Sequence, residues 1–252
     1  MIDISNKVTL ITGGSRGIGA ACAELFAKAG SDIAITYKSN EYAAKKVKNK
    51  IESLGRKCII EKCEISSYSD VKNSVKKIIE YFGKIDILVN NAGIWTYGEI
   101  GNMDVLTWQE TINTNLNSVF YFCNEIVPYM KKQKYGRIIN ISSTAGQRGE
   151  AYHSHYAASK GAVISFTKSL STELAKDNIL VNCVAPGWVD TDMCNEVFSD
   201  KNYKEEIRKG IPIGRIPLAE DIAGPVLFLA SDLAKNITGE ILNVNGGSVL
   251  CG

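Results

Sequence analysis

Apolar positions along the chain alternate between two rhythms. Seven short runs, residues 8–12, 32–37, 57–62, 85–90, 137–141, 180–184 and 241–244, are rich in Val, Ile and Leu and read as strands. Between them apolar residues return every three or four positions, as on one face of a helix. Ile18, Ala21, Cys22, Leu25, Phe26 and Ala29 make the first such face, Ala43, Ala44, Val47, Ile51 and Leu54 the second, and Val71, Val75, Ile78 and Phe82 the third. A long helix around 108–129, one carrying Tyr156 and Lys160, and a last one over 219–229 complete the alternation. The run at 85–90 is almost continuously apolar, which marks a strand buried on both faces and hence a parallel sheet. This succession predicts an α/β fold: a single doubly wound Rossmann-type domain over 1–252, with a seven-stranded parallel sheet and helices on both faces.

One stretch breaks the rhythm. Residues 186–215 exceed an ordinary strand-to-helix connection. Trp188, Met193, Val197 and Phe198 within it suit either a lid over an apolar ligand or a cover for the sheet edge, so 187–215 is read as lid-like.

Composition narrows the class without naming a reaction. A chain of 252 residues, 45% hydrophobic and 22% charged, can bury a full core. A net charge of +2 gives no reason to expect nucleic acid or a membrane surface as partner. No apolar run approaches the roughly 18 residues of a membrane span. The first strand follows Met1 so closely that no signal peptide is expected, and the expected location is cytoplasmic. Seven cysteines, at 22, 58, 63, 123, 183, 194 and 251, form no Cys-x-x-Cys pair and meet only two histidines, so neither a metal site nor a disulfide framework is expected.

Candidate chemistry gathers at strand ends. Gly13, Gly17 and Gly19 lie in TGGSRGIG between the first strand and its helix, where glycines let backbone N–H groups approach a pyrophosphate. Asn90, Asn91, Ala92 and Gly93 end the fourth strand, at the expected reversal of strand order. Tyr-x-x-x-Lys occurs three times, as Tyr42 with Lys46, Tyr68 with Lys72, and Tyr156 with Lys160. The first two sit on Lys-rich or ordinary amphipathic helix faces. Only the third has small uncharged residues between the partners and a hydroxyl-bearing strand end, Ser142 and Ser143, shortly before it. Helical spacing would bring its ammonium beside its phenol. Lowering a Tyr from about 10 to about 7 takes roughly 4 kcal/mol, and one cation about 4 Å away supplies a term of that size.

On these motifs the sequence resembles the short-chain dehydrogenase/reductase family across almost its whole length. TGGSRGIG is similar to the family's cofactor turn, NNAG to its fourth-strand motif, and Pro186-Gly187 to its turn after strand six. Ser143, thirteen residues before Tyr156, matches the catalytic set with Tyr156 and Lys160, and Asn115 matches the Asn of the fourth helix. Within the family the chain looks most like bacterial 3-oxoacyl-[acyl-carrier-protein] reductases, with sugar, polyol and steroid dehydrogenases as relatives. The resemblance implies Tyr156 as proton donor in carbonyl reduction and Lys160 as the group that lowers its pKa and reaches the nicotinamide ribose. It also implies Ser143 as hydrogen-bond donor to the substrate oxygen and Asn115 as organiser of a water relay.

The cofactor site so implied comprises Gly13, Ser15, Arg16, Gly17, Ile18, Gly19, Tyr37, Lys38, Ser39, Glu64, Ile65, Asn91, Ala92, Gly93, Tyr156, Lys160, Pro186, Gly187, Val189 and Thr191, with no metal. Glu64 stands where an adenine-contacting Asp is usual. Tyr37 occupies the place where an NAD-selective site puts a carboxylate, whereas Lys38 and Arg16 can pair with an extra phosphate, and Ser39 or Asn40 can donate to it. NADP, with NADPH preferred over NADH, is therefore the expected cofactor.

A homotetramer is implied by resemblance, in which the helices after strands four and five pack between subunits. Phe120, Phe122, Ile126, Tyr129, Phe166, Leu170 and Leu174 offer apolar surface for that packing or for the core. The expected substrate is a 3-oxoacyl thioester, acyl-carrier-bound, for which Lys131, Lys132, Lys134 and Arg137 offer a basic surface, although Asp177 is acidic where such enzymes often carry a base. A small sugar, polyol or hydroxysteroid substrate is the alternative, drawing on Gln147, Arg148, Glu150, His153 and His155. A non-catalytic dinucleotide sensor would share the glycine turn, but the complete Asn115, Ser143, Tyr156 and Lys160 set speaks against it.

Overall fold

Residues 2–250 are described by a computed structural model. Strand β1 (Val8–Ile11) leads into helix α1 (Gly17–Lys28), and the pattern repeats as β2 (Asp32–Tyr37), α2 (Glu41–Ser53), β3 (Cys58–Lys62), α3 (Tyr68–Phe82) and β4 (Ile87–Asn90). Helix α4 (Val105–Ile112) continues through a π-helical turn, Asn113–Asn117, into α5 (Ser118–Gln133). Then come β5 (Gly136–Ile141), the short α6 (Thr144–Arg148), the long α7 (Ser154–Leu174) and β6 (Ile179–Pro186). Two short helices, α8 (Asn195–Ser199) and α9 (Lys201–Lys209), precede α10 (Ala219–Ala230) and β7 (Ile241–Val244).

The seven strands form one sheet in the order β3-β2-β1-β4-β5-β6-β7, and every pairing is parallel. Successive residues of a strand point to opposite faces, and both faces are covered. Ile11, Ile33, Ile35, Ile87 and Val89 pack under Phe26 of α1, Ile51 of α2 and Val226 of α10. Leu10, Ala34, Leu88 and Ile138 pack against Ile78 of α3, Phe122 and Ile126 of α5 and Val163 of α7. Ile87, Leu88 and Val89 are wholly buried, which is why β4 reads as an unbroken apolar run. Of the residues considered for subunit packing, Phe122, Ile126 and Leu174 belong to this core, whereas Phe120 and Tyr129 are exposed on α5.

The chain winds outward in one direction through β2 and β3 and in the other through β5, β6 and β7. The crevice left where the winding reverses lies at the C-terminal ends of β1 and β4. Residues 186–215 are more ordered than their sequence suggests. β6 runs on to Pro186, and α8 and α9 occupy the middle of the segment. These helices are short and bury no residue fully. At the neck of the segment Asp190 pairs with Leu218 in an isolated parallel bridge, with Asp190 N donating to Pro217 O at 2.9 Å.

Among the described residues six cysteines are free and buried, and Cys251 lies outside them. No group of His, Cys, Asp or Glu among the described residues could hold a metal ion, and no described helix is long and apolar enough to cross a membrane.

Candidate active site

The turn between β1 and α1 is shaped by what it omits. At Gly19 a Cβ would stand 2.4 Å from Gly13 O and 2.6 Å from Asn91 Nδ2, so the first turn of α1 can close on the strand end only with glycine there. Gly13, at φ +64°, takes a left-handed conformation that side-chain-bearing residues rarely adopt. Helices α2, α3, α4 and α9 each have an N-terminal N–H satisfied by the side chain of Asn40, Ser67, Asp104 or Asp200. Helix α1 has no such cap: Arg16 makes no capping hydrogen bond, and the first turn holds no acidic residue. Its leading N–H groups and the positive end of its dipole are available to an anion, and the absent side chains leave room for a pyrophosphate to approach.

The end of β4 is stitched to this turn. Thr12 Oγ1 accepts from Asn91 N and Ala92 N, each at 3.0 Å. Asn91 Nδ2 donates to Thr12 O at 3.0 Å and to Gly13 O at 3.3 Å. Beneath them Asn90 Nδ2 donates to Asn140 Oδ1 at 2.9 Å, and Asn140 Nδ2 to Thr167 Oγ1 at 2.9 Å. Sequence reading took the asparagines as a motif, but the roles of Thr12, Asn140 and Thr167 depend on contacts made across the sheet.

At the adenosine end the two expected phosphate partners already face carboxylates. Lys38 Nζ lies 3.0 Å from Glu64 Oε2, and Arg16 lies 3.7 Å from Asp192 Oδ2. Both cations are well exposed, so each pair is weak and can be exchanged for a bound anion.

At the other end, Ser143 lies two residues beyond β5 and caps α6 by accepting from Ala145 N at 3.1 Å. The helices α6 and α7 pack so closely that a Cβ on Gly146 would meet the Lys160 carbonyl carbon at 2.5 Å. Ser142 Oγ donates to Lys160 O at 2.8 Å, which gives it the structural role and leaves Ser143 facing the cleft with Tyr156 and Lys160. Helical spacing brings the Lys160 ammonium over the Tyr156 ring, but its hydrogen bond goes to the strand end. Lys160 Nζ donates to Ile141 O at 2.8 Å and stands 5.8 Å from the centre of the Tyr156 ring.

Burial pushes the Tyr156 phenol upward, with hydrogen bonding by Ser143 opposing it and the charge of Glu150 adding to the rise. Burial also lowers Lys160 to about 8. In this geometry burial outweighs the influences that lower the phenol. Ser143 is the group that eases ionisation of the phenol.

Asn115 occupies the middle of the π-helical turn, a distortion that recurs at functional sites. It is wholly buried. Its Oδ1 accepts from Ile94 N at 2.8 Å, and its Nδ2 donates to Ile94 O at 2.9 Å and Ser159 Oγ at 3.2 Å. A Cβ on Gly93 would fall 3.1 Å from Asn115 Oδ1 and 3.5 Å from Lys160 Nζ, so Gly93 keeps open the space between them.

A cleft of about 480 Å3 joins these parts. It is lined by Gly13, Ser15, Arg16, Gly17, Ile18, Tyr37, Lys38, Ser39, Glu64, Ile65, Asn91, Ala92, Gly93, Ser143, Tyr156, Lys160, Pro186, Gly187, Val189 and Thr191. Gly19 and Asn115 lie behind its wall, the first allowing close packing and the second clamping the loop at Ile94. Trp95, Arg148, Glu150 and Trp188 also line it. Their grouping had no signal in local spacing.

Of the five polar residues linked to a small substrate, Gln147 is bonded to Asn243 at 2.6 Å, and His155 is buried against Thr96 Oγ1 at 2.9 Å. His153 stacks on Trp95. Only Arg148 and Glu150 of the five face the cleft. The expected basic surface is also reduced, because Arg137 is buried over the Tyr135 ring and Lys134 pairs with Asp177 at 2.5 Å.

The family profile described as enoyl-(acyl carrier protein) reductase matches residues 13–248. A Chlamydia trachomatis serovar D protein named 3-oxoacyl-[acyl-carrier-protein] reductase FabG is 40% identical over 242 residues, covering 96% of this chain and 97% of that one. A Sinorhizobium meliloti 1021 structure described as a short-chain alcohol dehydrogenase superposes with a TM-score of 0.94 at 32% identity, over 98% of this chain and 97% of that one. A Beutenbergia cavernae structure described as an NAD(P)-dependent gluconate 5-dehydrogenase, solved with bound NADP, gives 0.92 at 30% identity over 98% of each chain.

Proposed function

The chain belongs to the short-chain dehydrogenase/reductase family and is an NAD(P)-dependent oxidoreductase; from that premise we propose that it reduces a 3-oxoacyl thioester to the 3-hydroxyacyl thioester with NADPH, Tyr156 giving the proton. The observation that carries this reading is the meeting of Ser143, Tyr156 and Lys160 in one cleft with the uncapped, glycine-lined start of α1. When bound, the nicotinamide supplies the hydride. The leading N–H groups of α1 would hold the cofactor's pyrophosphate, and Gly93 and Pro186-Gly187, which line the same cleft as Tyr156, would leave room for its nicotinamide.

Tyr156 Oη lends its proton to the substrate oxygen as negative charge develops there. Ser143 Oγ, which already opposes the rise in the Tyr156 pKa, donates to the same oxygen and stabilises that charge. The phenol is protonated at neutral pH and so has a proton to give, while Ser143 offsets part of the rise that burial imposes on it. Lys160, buried and bonded to Ile141 O, would bring its ammonium to the nicotinamide ribose from the cleft wall it shares with Tyr156. Asn115 acts by positioning, since its amide holds the Ile94 backbone from both sides. The name of the Chlamydia relative supports the thioester as substrate.

The test is reduction of acetoacetyl thioester by wild type and Tyr156→Phe. We expect turnover to fall by at least about 1,000-fold while NADPH still binds, the upper part of the range for loss of a general acid. Unchanged turnover would remove Tyr156 from its role, and no thioester activity in the saturated wild type would remove the substrate.

NADPH is favoured over NADH because Lys38 and Arg16 flank the place where Tyr37 replaces a carboxylate. Exchange of Glu64 for the cofactor phosphate at Lys38 gives a prediction. Lys38→Asp weakens NADPH binding by roughly 1–3 kcal/mol and NADH much less, as measured by calorimetry. Equal losses for both cofactors would overturn the preference.

A further inference from the structure

The loop between β4 and α4 is fastened to the start of α7 residue by residue. Ile94, at its root, is held by Asn115. Trp95 lies flat on the His153 ring, with centroids 4.1 Å and planes 7° apart. Tyr97 stacks on Tyr152 at 5.8 Å, and Gly98 N donates to Tyr152 O at 2.8 Å beside an isolated parallel bridge from Gly98 to His153. Thr96, in the middle, turns inward. Its Oγ1 lies 2.9 Å from His155 Nε2 and 3.4 Å from Thr111 Oγ1 of α4. The chain has two histidines, and both stand in this clasp.

His155 is the concealed one. It and Thr111 are wholly buried. A Cβ on Gly98 would come within 3.0 Å of His155 Cε1 and 2.7 Å of Met103 Cε, so the loop backbone closes directly over the imidazole. A neutral imidazole and two hydroxyls make a compatible set, because each can donate to or accept from its neighbour. An imidazolium would bring a full charge into a space closed to water.

The charges on the surrounding elements do not offset that cost. Glu99 and Asp104 on the loop and Glu110 on α4 are exposed, and the π-helical turn packed on α7 carries no titratable residue. Lys160, farther along α7, donates to Ile141 O, and Glu150 stands 3.9 Å from His153. Among the described charged groups His153 alone acts on His155, and its sign is repulsive. Burial first, and then His153, hold the His155 pKa below its ordinary value, against the hydrogen bonding with Thr96.

We propose that His155 is a positioning residue that works as an acid-released clasp: neutral, it holds the 94–98 loop and the Trp95 wall of the cleft against α7, and protonated, it lets them go. A ring freed to water titrates near about 6.5, whereas the clasped ring resists the proton. The clasp is therefore at full strength above that value and weakens as the pH falls below it. The released loop takes with it Trp95, which lines the cleft, while the Thr12 and Asn91 bonds at the glycine turn stay in place. Turnover falls in acid and cofactor binding holds. Only this effect on turnover rests on the carbonyl-reduction reading above.

Three measurements on the NADP-bound protein, made between about pH 7.5 and about pH 5, test the clasp. They are the ring resonances of the two histidines, the exchange protection of the Gly98 amide, and kcat/KM for acetoacetyl thioester with NADPH. His155→Gln is the partner variant, since its amide can still bond to Thr96 but takes up no proton. In wild type the His155 resonance should titrate below its ordinary value. Gly98 protection should fall by about 3- to 30-fold, the upper figure being the limit for a ring that titrates normally once released, and kcat/KM should fall over the same range. In His155→Gln both quantities should stay within about 3-fold of wild type at about pH 7.5, and their acid declines should shrink below about 2-fold.

Protection that does not change with pH, a kcat/KM without an acid decline, or declines equal in wild type and His155→Gln would overturn the clasp. So would simultaneous loss of protection at Val89 and Ile139, which would mark unfolding of the whole sheet. If His155→Gln does not fold, the His155 ring is identified by its persistence in His153→Gln, and a midpoint at or above the ordinary value overturns the proposal. The ring and amide readouts need no substrate. A clasp that titrates in a protein without thioester turnover stands, and the thioester reading alone falls.

Discussion

Across the cleft from one another, the glycine turn after β1 and the segment carrying α8 and α9 differ in how many of their atoms are fixed. In the turn, Thr12 Oγ1 serves two backbone N–H groups, Asn91 reaches back to two carbonyls, and Gly19 has no room for a methyl group. Residues beneath it, such as Ile11 and Val89, are wholly buried. Helices α8 and α9 bury no residue fully. Polar bonds hold them: Lys204 to Asp190 at 2.9 Å, Arg208 to Glu205 at 2.6 Å, and Arg208 to Gly214 O at 2.7 Å. Regions with few buried apolar contacts open at low free-energy cost. The contrast sets a tightly fixed glycine turn against a segment held mainly by polar bonds.

The comparison breaks most visibly at Gly19. Gly19→Ala drives a methyl group into Gly13 O and the Asn91 amide, and we expect a loss of upwards of about 3 kcal/mol in denaturant unfolding together with loss of measurable NADPH binding. Wild-type stability in this variant would show that the turn yields as readily as the facing segment.

A second, pH-dependent effect comes from Lys160. Its folded pKa, lowered to about 8 from 10.5, means that between those values the unfolded chain holds a proton that the folded chain has released. Stability therefore rises with pH across that window, and the penalty is fully present below it. Measured as the difference between wild type and Lys160→Met, the rise should reach about 3 kcal/mol by pH 10.5. A flat difference would mean that the ammonium is hydrated despite its burial.

The smallest effect is expected in α9, where Asp200 accepts from Asn202 N at 2.9 Å and Tyr203 N at 3.2 Å. Asp200→Ala should speed amide exchange in α9 by an amount equivalent to about 1 kcal/mol of local stability, yet move the global unfolding free energy by less than about 0.5 kcal/mol. A global loss equal to the local one would mean that α9 unfolds with the sheet, and the contrast would fall.

Much of the architecture was legible because burial on two faces leaves a direct mark. The Ile87–Asn90 strand lies within its predicted run, and α1, α2 and α3 each begin one to three residues before the first apolar position that predicts them. The site was legible where geometry demands a residue type, as at Gly13 and Gly19. What escaped depends on distant partners. The expected helix around 108–129 is present, but nothing in its apolar period marks the π-helical turn within it that lets Asn115 reach Ile94. Lys160 lies four residues from Tyr156 but spends its ammonium on Ile141 O, a choice made by strand β5 rather than by helical spacing. Trp95, Glu150 and Trp188 come from three separate loops and met only on folding. The cap helices were hidden because polar caps and ion pairs, rather than an apolar face, define them.

The Asp190–Leu218 bridge has a consequence for how such a chain can change. By pinning both feet of the intervening segment together next to β6, it insulates the sheet from whatever the segment does, and lengthening a loop whose ends are already joined adds little closure entropy. Residues 195–209 between those feet, none of them fully buried, are the part that can be exchanged as a cassette. New substrate walls can thus be tried, by selection or by an engineer, without reopening the question of whether the protein folds.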